Sequence, residues 1–219
     1  MRSLTDLPRY LLVVMVVGLA LMIAACSRKI TPVGDGDMTR GDPKAPVTLV
    51  EYASVTCSHC ADFNQNLMPK IDANYIRTGK VYYVYREFLT PPNEVSAQGI
   101  LLARCAGKDK YFQVIDAVMA SQDEMFSDGD NNALPVLLRI AKQVGLTEPQ
   151  FKACVTDPKG LQRLQANVNT YATDDHIAST PTFFINGKKL ERHTGELAEF
   201  DDAIAQASKE RTASTEGNK

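Results

Sequence analysis

The segment VEYASVTCSHC, residues 50–60, determines the fold that we expect for this chain. It begins inside VTLVEYA, residues 47–53, a β-rich and mostly apolar run that is typical of a buried strand. It ends in CSHC, residues 57–60, after which apolar residues recur at helical spacing as far as Tyr75. The two cysteines therefore lie where a strand turns into a helix.

A thiol at the start of a helix has a lowered pKa, because unpaired backbone N–H groups and the helix dipole stabilise the thiolate. We expect Cys57, the first cysteine, to be the nucleophile and Cys60, one turn later, to be the more buried resolving thiol. His59 is expected to add to the stabilisation of the Cys57 thiolate. A stabilised thiolate favours the reduced pair, so the oxidised pair would readily donate its disulfide.

A CxxC motif can also bind a metal or stabilise a fold, and these roles remain open for Cys57 and Cys60. A zinc site needs about four ligands, and the sequence has no second close Cys/His pair. The motif can instead form a purely structural disulfide. It can also deliver copper, with His193 as a third ligand. His176 and His193 have no motif context, and we predict that both are surface or loop residues.

The segments that follow the cysteines predict a second strand and then a long helical block. VYYVYREF, residues 81–88, is apolar on both faces, as expected of a central strand. Together with residues 47–77 it makes a strand–helix–strand unit that should cross over right-handedly. Pro69 should kink the helix near its middle. Residues 93–175 show helical stripes and no convincing strand.

Strand character returns near the C-terminus. TFFI, residues 182–185, precedes Asn186-Gly187, a strong hairpin signal, and residues 188–191 should pair back. Apolar residues from Leu197 onward predict a terminal amphipathic helix. The element order is therefore β-α-β, a helical insert, and β-β-α.

The N-terminal residues indicate export. Residues 1–25 hold a basic start and an uncharged apolar run, which is typical of a secretory signal. IAAC, residues 23–26, resembles a lipobox in which Cys26 is lipidated. An uncleaved anchor helix or plain cleavage remain alternatives, and all three place the folded part where disulfides persist. Residues 26–42 should form a flexible tether, and residues 209–219 a disordered tail.

Length and composition exclude several classes of protein. The chain has 219 residues, enough for one ample domain. Its net charge of −2, without a Lys/Arg-rich run, argues against nucleic-acid binding. With three histidines, an all-histidine metal centre is not expected.

These features together resemble the DsbA-like thiol–disulfide oxidoreductases. The resemblance rests on residues 50–60, on Pro69, on the helical insert and on STPTFFING at 179–187. It covers residues 43 to about 207 and implies an α/β, thioredoxin-like fold with an all-helical insertion between its halves. The implied units are residues 43–92, the first half; 93–175, the insertion; and 176–208, the second half.

The resemblance also implies roles for residues outside the CxxC motif. Pro181 would be cis and packed beside the cysteine pair, and Thr180 would present main-chain atoms to a substrate peptide. Glu51 matches a buried acid that handles protons for Cys60, although a solvated Glu51 at a sheet edge is the alternative. An ordinary trans Pro181 is likewise left open.

Cys105 and Cys154 fall in the insert, where some bacterial members of this family carry a second disulfide. We expect a structural disulfide between them. A second redox-active pair and two free buried thiols are the alternatives.

The expected function is donation of disulfides to unfolded exported proteins, on the periplasmic side of a bacterial membrane and anchored by lipid at Cys26. We expect a monomer that needs no cofactor, metal or nucleic acid. The family implies reoxidation by a membrane partner such as a quinone-linked oxidase. A disulfide isomerase, a client-specific reductase and a membrane-attached copper-delivery module are the alternatives.

Overall fold

A computed structural model describes residues 30–130, 132–191 and 195–216. The predicted signal at residues 1–25, the lipidation candidate Cys26 and His193 lie outside these residues. The strands are β1 (Met38–Arg40), β2 (Val47–Ala53), β3 (Val81–Glu87), β4 (Ser127–Asp130), β5 (Thr182–Ile185) and β6 (Lys188–Lys189). The helices are α1 (Ser58–Asp62), α2 (Met68–Ile71), α3 (Asn93–Cys105), α4 (Lys108–Ala120), α5 (Gln122–Met125), α6 (Ala133–Gln143), α7 (Glu148–Val155), α8 (Pro158–Thr173) and α9 (Leu197–Glu216).

Within the described residues, five strands form one sheet in the order β1-β3-β2-β5-β6. β2 and β3 are parallel, and their register places Glu51 opposite Tyr85. β5 pairs antiparallel with β2 and then with β6. This is the predicted β-α-β and β-β-α arrangement, and the β2 bounds match the predicted strand.

The two faces of the sheet bury different sets of side chains. Odd-numbered residues of β2 and β3 face the large core that the sheet shares with the helical insertion. The opposite face buries a smaller cluster that includes Val50, Tyr52 and Phe184. Since the β2–β3 pair is covered on both faces, its strands are mostly apolar, with Glu51 and Arg86 among the buried charged exceptions.

Helices α3 to α8 form the insertion between β3 and β5, as predicted. α7 begins with a capping box, in which Thr147 and Gln150 satisfy each other's backbone N–H groups. The insertion also contains the short strand β4 outside the five-stranded sheet, which we did not predict. Its sequence, SDGD, carries no apolar alternation.

The helix after β2 changes its winding on both sides of Pro69. Residues Phe63–Leu67 and Asp72–Ile76 form π-helical turns around the short helix α2. Proline has no backbone N–H and crowds the preceding turn. The structure therefore has π-helical turns on both sides of the position where the kink was predicted.

The flexible tether predicted at residues 26–42 is wrong for residues 30–42, the part that the structure describes. Residues Met38–Arg40 form β1, which pairs antiparallel with β3 at the edge of the sheet. Thr31 donates hydrogen bonds from its backbone N–H and its hydroxyl to Asp175, at 2.5 and 2.7 Å. Polar composition suggested a tether, whereas the polar groups are in fact used to dock this segment on the domain.

The disordered tail predicted at residues 209–219 is also wrong as far as Glu216, because α9 continues to that residue. Glu210 lies on this last part of the helix and forms an ion pair with Lys188 at 2.8 Å. The strand predicted at 188–191 is shorter, since β6 covers Lys188–Lys189 alone. Among the described helices, none is both long and apolar enough to cross a bilayer.

Candidate active site

Cys57 and Cys60 occupy the predicted junction of strand and helix. Cys57 is the N-cap residue of α1, and its sulfur accepts a hydrogen bond from the Cys60 backbone N–H at 3.2 Å. The carbonyl oxygen of Cys57 accepts the Ala61 N–H at 3.0 Å, which starts the helix. Both cysteines are free thiols, Cys57 partly exposed and Cys60 buried. The more accessible sulfur is therefore the one expected to be the nucleophile.

The surroundings of Cys57 lower its pKa to about 6. The largest cause is a hydrogen bond from the Cys60 thiol, and partial burial opposes it. Hydrogen bonding with Thr180 and with the Cys60 backbone N–H also lowers the pKa. The charge of His59 contributes less than these groups, and the His59 side chain is exposed. The thiolate predominates at neutral pH.

Cys60 lies in the opposite environment. It is 0% exposed, and burial raises its pKa far above that of a free thiol. The hydrogen bond to Cys57, the charge of Cys57 and the charge of Glu51 raise it further. Two thiols one helical turn apart thus differ strongly in their ease of ionisation.

Glu51 is buried on β2, with 2% of its surface exposed, and its charge acts on Cys60. The alternative of a solvated glutamate at a sheet edge is therefore wrong. Burial raises the pKa of Glu51 to about 8, opposed by a hydrogen bond from the Tyr83 hydroxyl to Glu51 Oε2 at 2.6 Å. Sequence reasoning missed this partner, although Tyr83 lies on β3 beside the strand that carries Glu51.

The loop before β5 adjoins Cys57. The Thr180–Pro181 peptide bond is cis, so the alternative of an ordinary trans Pro181 is wrong. The Cys57 thiol donates to the Thr180 carbonyl oxygen at 3.4 Å. This main-chain edge is therefore beside the reactive sulfur, where an extended peptide could pair with it.

Cys105 and Cys154 are bonded to each other across the insertion. Their Cα atoms are 5.8 Å apart, an ordinary disulfide separation. The bond joins the last residue of α3 to α7. Because the two cysteines are bonded, the alternative of two free thiols is wrong. Cys105 is exposed and Cys154 is buried.

A cluster of hydroxyl groups fixes the turn that precedes Cys57. The Ser54 hydroxyl lies 2.8 Å from that of Ser96 on α3 and accepts a hydrogen bond from Thr90 at 2.8 Å. Thr56 donates to the Thr90 carbonyl oxygen at 2.9 Å. Sequence reasoning missed this cluster because its members are far apart along the chain.

Gln122, the first residue of α5, was missed for the same reason. Its side-chain nitrogen donates to the carbonyl oxygens of Val55 and Cys57, at 2.7 and 3.1 Å. An isolated glutamine carries no signal in a single sequence. The insertion thus contacts the cysteine turn directly.

The alternative copper site has its proposed third ligand, His193, outside the described residues. His176 is exposed, as predicted. Among the residues that the structure describes, no three His, Cys, Asp or Glu side chains are grouped so as to hold a metal ion.

Comparisons with known proteins agree with this geometry. The chain matches the protein family described as Thioredoxin over residues 34–206. A relative in Rickettsia bellii, provisionally named a protein-disulfide oxidoreductase, is 32% identical over 162 residues, which cover 74% of this chain and 61% of the relative. A Rickettsia typhi relative with the same kind of name is 33% identical, covering 78% of this chain and 62% of its own length. The chain thus spans less than two thirds of these curated relatives.

Solved structures show the same similarity. Wolbachia pipientis alpha-DsbA1 is 30% identical, with a TM-score of 0.75, covering 84% of this chain and 96% of that one. Chlamydia trachomatis DsbA shares the fold with a TM-score of 0.68 at 18% identity, covering 80% of this chain and 93% of that one.

The fold and the paired cysteines define a protein of the thioredoxin-fold class with an exposed nucleophilic thiol and a buried partner. The chain belongs to the thioredoxin family and, within it, to the DsbA-like proteins.

Proposed function

We propose that this chain is a thiol–disulfide oxidoreductase that donates disulfide bonds to exported proteins. The observation that carries this proposal is the contrast between the two thiols of the CxxC motif. Cys57 has a pKa of about 6, whereas that of the buried Cys60 is raised. Thiolate stabilisation exists in the reduced form alone, because a disulfide carries no charge. The pair therefore gains stability on reduction and is a good oxidant.

The reaction follows from the two environments. A substrate thiolate attacks the Cys57 sulfur of the oxidised pair, a mixed disulfide forms, and Cys60 leaves with the electron pair of the broken bond. Cys60 takes up a proton, since its buried sulfur disfavours charge. A second substrate thiolate then attacks the substrate sulfur of the mixed disulfide and releases Cys57 as a thiolate. Two substrate thiolates are oxidised to one disulfide, and the CxxC pair is reduced.

Glu51 is the proposed source of the proton for Cys60. Its raised pKa keeps the carboxyl largely protonated at neutral pH. Its negative charge and a Cys60 thiolate would disfavour each other, which the effect of Glu51 on the Cys60 pKa reflects. The proposed proton transfer moves the single negative charge of this buried region from the Cys60 sulfur to the Glu51 carboxylate, because the pKa of Cys60 is raised further than that of Glu51.

Substrate binding is proposed at Thr180 and Pro181. The Thr180 carbonyl oxygen is 3.4 Å from the Cys57 sulfur, so a peptide that pairs with this loop would bring its own cysteine to Cys57. Main-chain pairing does not depend on side chains, which suits an enzyme acting on many unfolded chains.

We place the reaction on the periplasmic side of a bacterial membrane, with the chain anchored by lipid at Cys26 and reoxidised by a membrane partner such as a quinone-linked oxidase. Metabolic labelling with a radioactive fatty acid tests the anchor. Cys26→Ser should abolish labelling, and labelling that persists in this variant would contradict lipidation at Cys26.

The reduction potential of the Cys57–Cys60 pair tests the direction of the reaction. The chain from residue 27 onward would be equilibrated in glutathione buffers, and its free thiols trapped with a mass-shifting alkylator. We expect a value near roughly −120 mV, typical of a disulfide donor. A value near roughly −270 mV would mark a thioredoxin-like reductase and contradict the proposed direction.

A further inference from the structure

One side chain of the helical insertion donates hydrogen bonds to the main chain of the cysteine turn. Gln122 is half-buried at the start of α5, immediately after α4. Its carboxamide nitrogen donates to Val55 O at 2.7 Å and to Cys57 O at 3.1 Å. A carboxamide has two N–H donors, so both are used on this turn.

The second of these acceptors belongs to the proposed nucleophile itself. Cys57 O also accepts the Ala61 N–H at 3.0 Å, so Gln122 shares with α1 the carbonyl group that starts the helix. The position of that carbonyl group fixes the Cys57 backbone, and with it the distance of 3.2 Å from the sulfur to the Cys60 N–H. Hydrogen bonds weaken steeply when distance and angle change.

The packing around Val55 transmits the position of the insertion to the turn. Val55 is fully buried and lies against Gly99 of α3, where an added Cβ atom would come within 2.9 Å of the Val55 side chain. The turn thus contacts α3 through Val55 and α5 through Gln122. A small movement of the insertion would therefore change the position of the Cys57 carbonyl group.

We propose that Gln122 is a positioning residue, which holds the Cys57 backbone so that its thiolate receives the Cys60 N–H. This inference deepens the proposed function, since it identifies how the insertion sets the reactivity of the nucleophile. The N–H groups of Gln122 also direct the positive end of the carboxamide dipole at this turn. Loss of geometry and loss of the dipole both destabilise the thiolate, so their effects on it have the same sign.

The test is Gln122→Met, which removes both donors and keeps most of the side-chain volume. Thiolate absorbance of the reduced protein is followed against pH. We expect the Cys57 pKa to rise by about half a unit to one unit, which corresponds to a roughly three- to tenfold loss of thiolate stability. The glutathione equilibrium should shift by a similar factor toward the oxidised protein.

Gln65→Met is the matched control. Gln65 lies on the helix after Cys60 and donates to the carbonyl oxygen of Met119, on α4, at 3.5 Å. It therefore makes the same kind of contact with the insertion, but not at the cysteine turn. We expect its thiolate titration to match that of the unmodified chain.

Measuring the unfolding of the oxidised and the reduced protein distinguishes a positioning role of Gln122 from a general contribution to stability. A positioning role makes Gln122→Met destabilise the reduced form more than the oxidised form. An unchanged Cys57 pKa with equal destabilisation of both forms would overturn the inference. If this variant does not fold, Gln122→Glu, which keeps the shape and opposes two carbonyl groups with a carboxylate, should raise the pKa further.

A different measurement, the reduction potential of the unmodified chain, would show that the proposed function is wrong. If the unmodified chain had a reducing potential, disulfide donation would be wrong. The shift in Gln122→Met would still be measured independently, since the titration requires neither substrate nor redox partner.

Discussion

At the scale of single residues, the protonation of Cys57 governs how the reduction potential depends on pH. Its pKa is about 6, whereas that of Cys60 is raised. Below pH 6, reduction of the disulfide takes up two protons. Above pH 6 it takes up one proton, because Cys57 stays ionised. For a two-electron couple, we expect slopes of about 59 mV per pH unit below the break and about 30 mV above it.

Glutathione equilibria measured between pH 4.5 and 8 would locate this break. His59→Ala should move it to higher pH by a small amount, because the charge of His59 lowers the Cys57 pKa less than hydrogen bonding with Cys60 and Thr180 does. The potential at pH 7 should become slightly more reducing. A single slope across the whole range would show that Cys57 is not ionised as the structure indicates.

Glu51 makes the stability of the folded protein fall as the pH rises. Its pKa is raised from 4.5 to about 8 in the folded protein, so the folded state holds a proton that the unfolded state releases. Stability from this group is therefore complete below pH 4.5, falls as the pH rises toward 8, and then levels off. Glu51→Gln removes this pH-dependent loss of stability, because glutamine does not ionise.

We therefore expect reduced Glu51→Gln to gain stability over the unmodified chain as the pH rises. Because the carboxyl is fully buried, the difference should grow by an amount on the order of 4 kcal/mol between pH 4.5 and 8. Urea unfolding at several pH values measures it. A stability difference that is the same at pH 5 and pH 8 would show that Glu51 is ionised in the folded state.

At the scale of secondary-structure elements, the disulfide between Cys105 and Cys154 joins α3 to α7 across 49 residues of sequence. In the chain-entropy account, closing a loop of this length restricts the unfolded chain by about 4 kcal/mol. The double variant Cys105→Ser with Cys154→Ser should lose approximately that much stability in urea unfolding. A loss below about 1 kcal/mol would exclude the structural role.

The elements that the sequence predicted well are those with regular apolar spacing. β2, the insertion helices and the start of α9 at Leu197 all bury a periodic set of side chains, so the pattern and the packing agree. The Asn186-Gly187 hairpin was predictable because both residues have positive φ, which Asn and Gly tolerate.

The elements that escaped prediction depend on contacts between distant parts of the chain. β1 is three residues long and follows a polar stretch, so its pairing with β3 leaves no local pattern. At the candidate site, the cysteines, Glu51 and Pro181 were found through a motif and a resemblance. Gln122 and Tyr83 were missed because each acts through hydrogen bonds to residues on another element.

At the scale of the whole molecule, the N-terminal segment closes the face of the sheet opposite the active site. Arg86 is 1% exposed and forms ion pairs with Asp37 at 3.1 Å and Asp175 at 3.2 Å. Its guanidinium also donates to the Thr31 carbonyl oxygen at 2.7 Å. A buried cation of this kind is stable because its donors are paired on all sides.

This network predicts the effect of removing the segment. A chain that begins at residue 43, the predicted domain boundary, lacks Thr31, Asp37 and β1. Arg86 then keeps Asp175 as a partner but loses Asp37, and the edge of β3 is left unpaired. Removing one partner of a buried ion pair costs about 3 to 5 kcal/mol, and we expect a loss of at least about 3 kcal/mol relative to a chain that begins at residue 30.

Urea unfolding of the two chains measures this loss, and Arg86→Met in the longer chain is the matched variant. It keeps the segment but leaves Asp37 and Asp175 without their shared cation, so it should be destabilised to a similar degree. The Cys57 pKa should stay the same in all three proteins, because the network lies on the other face of the sheet. Equal stability of the long and short chains would show that residues 30–42 are a dispensable tether after all.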